Sequence, residues 1–135
     1  MIKSQRFIQC TLAVVAIIFT LAATNGCAVD ISIDVSPNVL NIQSESTVVT
    51  VHTDIAYNLV VGATVFLNGV AVDCWKSDDR GNFVAKFVSD EIKTLEGLII
   101  DDYNTLTLTG FTTDGEAFIG YQDIMVIDNI PQGKN

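Results

Sequence analysis

From Val29 onward the apolar residues fall on every second position. Val29, Ile31, Ile33 and Val35 alternate with Asp30, Ser32 and Asp34, as in a strand with one face in a core. Pro37-Asn38 ends that run, and a short segment from Val39 to Ile42 follows. The polar turn Gln43-Ser44-Glu45-Ser46 leads to a second alternating run, Thr47 to Thr53. Thr64 to Leu67 and Val70 to Val72 flank Asn68-Gly69, a hairpin signal because both turn positions accept positive φ. Asp78-Asp79-Arg80-Gly81-Asn82 forms a turn cluster before the strand Phe83 to Val88. Ser89 to Leu95 alone has helical character, enough for one or two turns. Leu106 and Leu108 then alternate with Thr105, Thr107 and Thr109, and a turn at Thr113-Asp114-Gly115 precedes a last strand, Gln122 to Asp128.

Short strands at about ten-residue spacing, with no long helix, predict an all-β fold. The expected architecture is an Ig-like antiparallel β-sandwich of about seven or eight short strands, each sheet burying its apolar face against the other. A barrel is the competing closure. The Cys, Trp, Cys triad of antibody domains is missing, because Trp75 follows Cys74 directly.

The first residues follow another pattern. Lys3 and Arg6 precede an apolar run from Thr11 to Ala23, and small residues follow up to Cys27 and Ala28. Basic, apolar and small in that order is an export signal. The run is shorter than the ~18–20 residues of a spanning helix, although an uncleaved anchor is the alternative. Residues 1–27 are therefore expected to be the signal, 28–130 a β-sandwich domain and 131–135 a frayed tail. Cys27 after Gly26 is similar to the lipobox of bacterial lipoproteins, whose cysteine is acylated, while Thr24 and Asn25 depart from that pattern. Ordinary cleavage after Gly26 or Ala28 is the other outcome. Cys10 lies inside the signal. With Cys27 acylated, Cys74 is expected to be a small buried hydrophobe; with Cys27 retained and free, a Cys27–Cys74 disulfide is open to it in an oxidising compartment.

All 16 acids lie after Cys27, against 5 of the 7 basic residues, so the exported part carries a net charge of −11. Such a surface repels phosphate backbones and argues against nucleic acid as a partner. Roughly a hundred residues form one domain with its own core. With one histidine and no close cysteine pair, a zinc site is not expected.

Several segments share an order. Ile33-Asp34-Val35-Ser36-Pro37, Leu40-Asn41-Ile42-Gln43-Ser44, Thr64-Val65-Phe66-Leu67-Asn68-Gly69, Ala85-Lys86-Phe87, Leu106-Thr107-Leu108-Thr109-Gly110 and Asp114-Gly115-Glu116-Ala117-Phe118-Ile119-Gly120 follow one another. Together they resemble a small β-sandwich module of bacterial and archaeal secreted and surface proteins. The resemblance spans nearly all of the chain after Cys27 and implies a non-enzymatic module. Members of that family commonly carry a longer Asp-rich turn of calcium-loop type. Here the turn is only Ser77 to Asn82, and Arg80 places a positive charge where a cation would sit. A calcium loop requires oxygens at alternating positions; Asp78 and Asn82 are left as oxygen donors for a cation, but the expectation is a solvated turn, with neither metal nor cofactor.

Candidate chemistry is sparse. His52 has no oriented partner in sequence, as a general base would need, and is expected to face solvent from a strand. Asp78-Asp79, Asp90-Glu91 and Asp101-Asp102 are adjacent acids in turns, where carboxylates commonly accept local backbone hydrogen bonds. A small hydrolase acting through paired carboxylates is the remote reading. The Thr105, Thr107, Thr109 stripe is expected on an exposed sheet face. Trp75, Tyr57 and Tyr103, with Tyr121, are the aromatic candidates for stacking on a carbohydrate. The leading expectation is an exported, non-enzymatic module with a structural or interaction role at the cell envelope, joined to the membrane only through its N-terminus. Its partner is an unidentified protein or carbohydrate at the cell surface, and ligand binding, above all to carbohydrate, is the alternative role.

Overall fold

The computed structural model describes residues 28–130. The signal with Cys27, and the tail 131–135, lie outside the described residues. The described chain forms strands β1 (Val29–Asp30), β2 (Ile33–Ser36), β3 (Val39–Asn41), β4 (Val48–Ala56), β5 (Val60–Leu67), β6 (Val70–Ala71), β7 (Cys74–Ser77), β8 (Asn82–Val88), β9 (Asp102–Thr112) and β10 (Ala117–Ile127). A 3-10 turn, Tyr57–Leu59, precedes β5, and one short helix, α1 (Ser89–Lys93), follows β8. The strands form two sheets. One has the order β1-β10-β9-β5-β6 with β3 also paired to β10, and the other runs β2-β4-β8-β7. The fold is an all-β sandwich. Ten strands appear among the described residues because β1, β3 and β6 are pieces of two or three residues.

Period-two patterning explains the packing. Leu106 and Leu108 of β9, Phe118, Ile124 and Val126 of β10, and Val65 and Leu67 of β5 point inward from the larger sheet. Val49 and Val51 of β4 with Phe83, Ala85 and Phe87 of β8 meet them from the smaller sheet. Burying each such large apolar side chain contributes about 1.5–3 kcal/mol. Ile92 adds one buried contact from α1.

The Val29 to Val35 alternation does not form one strand. β1 pairs in parallel with β10 through Val29↔Phe118 and Asp30↔Ile119. The chain then crosses to the other sheet at Ile31–Ser32, and β2 pairs antiparallel with β4 from Ile33↔Thr53 to Ser36↔Thr50. After Pro37 it returns to the first sheet as β3, parallel to β10. Alternation reports which side of the backbone is buried, not which sheet the backbone joins.

The Asn68-Gly69 hairpin adopts the expected turn, with φ of 47° and 85° between Leu67 and Val70. Its Asn68 side chain also accepts the Thr107 N–H at 2.6 Å and donates to the Thr105 carbonyl. Two polar residues are buried. The Thr53 hydroxyl donates to the Phe83 carbonyl at 2.7 Å, where the β4–β8 register slips between His52 and Ala56. Ser89 opens α1, its backbone N–H bonded to the Thr47 carbonyl.

Candidate functional site

Three surface features compete for a role: an open cleft, the sequence-selected aromatics, and the outer face of the larger sheet. The cleft, about 450 Å³, lies at one end of the β2-β4-β8 sheet and is bordered by Asp34, His52, Asp54, Asp78, Arg80 and Asn82. Strand register creates it, since Asp34, His52 and Lys76 are exposed in one row across β2, β4 and β7, with the fully buried Val84 of β8 between His52 and Lys76. A neighbouring hollow of about 380 Å³ shares His52, Asp78 and Arg80 with it and adds Lys76.

Two carboxylates of the cleft, Asp78 and Asp54, are engaged with backbone. Asp78 Oδ1 accepts the N–H groups of Arg80 at 2.8 Å and Asn82 at 2.9 Å, closing an Asx-type turn. The Asn82 N–H holds the Asp78 carboxyl below its ordinary range, and partial desolvation opposes it. The Arg80 N–H and the charges of Arg80 and His52 act in the same sense as Asn82. Asp54 Oδ1 accepts the Ser32 N–H at 3.0 Å. His52 is exposed, and among the described residues the one ion pair within 4.0 Å is Lys93–Asp90, so no carboxylate grips the imidazole. No group of three or more His, Cys, Asp or Glu suited to a metal occurs among the described residues.

The other acidic pairs stay in separate turns. Asp90 and Glu91 occupy the first turn of α1. Asp101 adopts a φ of 63°, and Asp102 accepts the Tyr103 N–H at 2.7 Å. Lys93 is the one basic side chain drawn inward. Its Nζ donates to the Ser44 carbonyl at 2.7 Å, tying α1 to the Gln43–Ser46 turn.

The aromatic candidates do not converge. Trp75 sits opposite Ala85 on the core side of β7, and its indole lies over Gly62 of β5, bridging the two sheets. A Cβ on Gly62 would fall inside that ring. Tyr57 stacks on the buried Phe83 ring at 6.3 Å between centroids. Tyr103 and Tyr121 stand free on the outer face of β9 and β10, 63% and 59% exposed. Cys74 corrects an expectation, because it is exposed and not buried. Trp75 takes the inward position of β7, so its neighbour must point out, beside Lys86.

The outer face of the larger sheet is the third feature. Tyr103 lies beside Met125, and Met125 beside Val39. Thr105 pairs with Asp123, whose carboxylate accepts the Thr105 hydroxyl at 2.6 Å. Thr107 pairs with Tyr121, Thr109 lies between Phe66 and Ile119, and Phe111 lies between Val61 and Ala117. Phe66, Phe111, Tyr121 and Tyr103 are 40–63% exposed. Asp123 is the one charged side chain on the β9 and β10 part of this face, in a domain otherwise rich in carboxylates. The threonine stripe points to this face from the sequence. Phe66 gives no such signal, since Val65-Phe66-Leu67 reads equally well as core, whereas Phe111, between Gly110 and Thr112, continues the outward positions of Thr105, Thr107 and Thr109.

No helix among the described residues is long and apolar enough to cross a membrane. The fold and surface thus define an acidic all-β sandwich with one nearly uncharged outer face. Against protein-family models, curated proteins and solved structures, no match to the chain was found.

Proposed function

We propose that the chain is an exported β-sandwich module with a structural or interaction role at the cell envelope, acting by binding and not by catalysis. The observation that carries this reading is the outer face of the β9–β10 sheet, where aromatic and aliphatic side chains stand exposed on a chain whose part after Cys27 has net charge −11. Two groups of exposed apolar side chains on one sheet face, with threonines between them, support an interaction surface. The export pattern of residues 1–27 and the motif order that resembles secreted and surface modules both support the envelope as its place.

The exposed Cys74 thiol provides the test. Spheroplasts carrying the full chain are treated with a maleimide that cannot cross the inner membrane, and the protein is then weighed intact. Modification of Cys74, together with loss of residues before Cys27 or Ala28, is the expected result, and the same mass reports whether Cys27 carries acyl groups. A protected Cys74 on a chain that keeps its first 26 residues would sink the exported reading.

Carbohydrate binding is the second reading, favoured by Tyr103 and Tyr121 beside the threonine stripe. Trp75 and Tyr57 lie apart from that face, their rings packed over Gly62 and Phe83 while still partly exposed. Retardation of the chain in gels containing a neutral polysaccharide, lost on Tyr121→Ala, tests it.

A further inference from the structure

We infer that the outer face of the β5-β9-β10 sheet is the interface through which two copies of this chain pack face to face. This rests on the proposed role as an interaction module and names its partner. Charge narrows the choice of occupant. The face carries two of the sixteen carboxylates, Asp123, itself engaged by Thr105, and Asp30 at its β1 edge beside Ile119, while the exported chain bears −11. An anionic bilayer repels such a domain, since peripheral membrane attraction comes from Lys and Arg, and this face has neither. A basic protein would be drawn to the carboxylates elsewhere and not to the region poorest in them. A neutral, flat, largely apolar surface fits best, and a second copy presents one.

The arrangement of groups is also self-matching. Along β9 the face runs from an apolar end, Tyr103 with Met125 and Val39, through a hydroxyl-rich centre to a second apolar end. That second end is formed by Phe66, Ile119, Phe111 and Val61. Reversed end for end by a two-fold axis, apolar end meets apolar end and threonines meet threonines. Closed dimers of this kind use one patch on both subunits. Eleven residues of β9 extend about 37 Å at ~3.4 Å per residue. Three strands about 4.8 Å apart give a width of roughly 15 Å with their side chains. The projected area is then about 550 Å², and side-chain relief raises the accessible area towards the ~800 Å² per partner of a standard interface. Sheets stacked in this way pack about 10 Å apart.

Cross-linking in native membranes tests the interface on the full chain. In a Cys74→Ser background, Thr107→Cys at the centre of the face is compared with Thr50→Cys on the outer face of the other sheet. A held interface raises the effective thiol concentration, so oxidation should give covalent dimers through Thr107→Cys at least about tenfold faster than through Thr50→Cys. Adding Phe111→Lys and Tyr121→Lys should abolish that difference, while the thermal unfolding midpoint of the purified variant shows that it still folds. Raised salt should increase dimer formation, because screening relieves repulsion between two acidic subunits. Equal rates at the two positions, or dimers indifferent to the lysines, would overturn the proposal. So would Thr107→Cys reaching only a different protein, or a face protected by neutral polysaccharide in a monomeric chain. Cys74 labelling reports export separately, so failure of the dimer leaves the envelope reading intact, and the reverse also holds.

Discussion

Gly62 shows how one missing atom shapes this protein. It lies in the stretch between Val61 and Phe66 where the β5–β9 register slips, and Trp75 fills the space above it from the opposite sheet. Gly62→Ala forces the indole to move, at an overpacking cost of about 1–3 kcal/mol. Trp75 is the single tryptophan, so its emission should shift to the red as urea midpoints fall. Unchanged emission with unchanged stability would mean that the indole does not rest there. Asp78 acts through charge in place of shape. The Asn82 N–H lowers its folded pKa below the ordinary aspartate value near 3.8. Its stabilisation is therefore complete above the unfolded value and is lost as pH falls through the folded one. Asp78→Asn should flatten the acid limb of the stability curve below about pH 4, as read by thermal midpoints across that range, with little change in slope near neutrality. A variant whose acid limb runs parallel to wild type would remove Asp78 from the account.

At the scale of elements, the sequence pattern marks which residues are buried much better than it marks which strands pair. Core positions such as Val49, Val51, Leu106 and Leu108 follow from period two alone. The β1–β2–β3 crossing does not, because a change of sheet leaves alternation undisturbed. Its determinants lie far away in the chain. Gln122 of β10 reaches across with Oε1 to accept the Val35 N–H of β2 at 2.9 Å, an 87-residue separation. That contact satisfies a donor on an edge strand that would otherwise be open to pairing. Gln122→Leu leaves the donor unpaired and part-buried and should cost about 1–3 kcal/mol, measured by urea unfolding. Hydrogen exchange should sharpen the result, with protection lost first at Val35 and its β2 neighbours. A uniform loss across both sheets would show that Gln122 does not act locally on β2.

The whole molecule carries its charge unevenly, and this too is only partly legible in sequence. The total of −11 after Cys27 can be counted directly. Its scarcity on one face can be seen only once β9 and β10 are aligned in register, Thr107 beside Tyr121 and Thr109 beside Ile119. Sixteen acids against five bases leave the compact state under self-repulsion, because folding crowds carboxylates that the extended chain keeps apart. Specific ion pairing does little to offset this, since Lys93–Asp90 is the one pair within 4.0 Å among the described residues and Asp90 is exposed. Moderate salt screens exposed charges over about 8–10 Å, so it should stabilise the fold. The thermal midpoint of the full chain should rise between low and physiological ionic strength at fixed pH 7. Charge reversal in a crowded acidic loop, Asp102→Lys, should raise the low-salt midpoint and reduce the salt dependence. Working at low protein concentration, and repeating the titration on the Phe111→Lys, Tyr121→Lys variant, separates screening within one subunit from salt-driven association. A midpoint that falls with salt in both proteins would mean that attractive pairs, and not net repulsion, govern this surface.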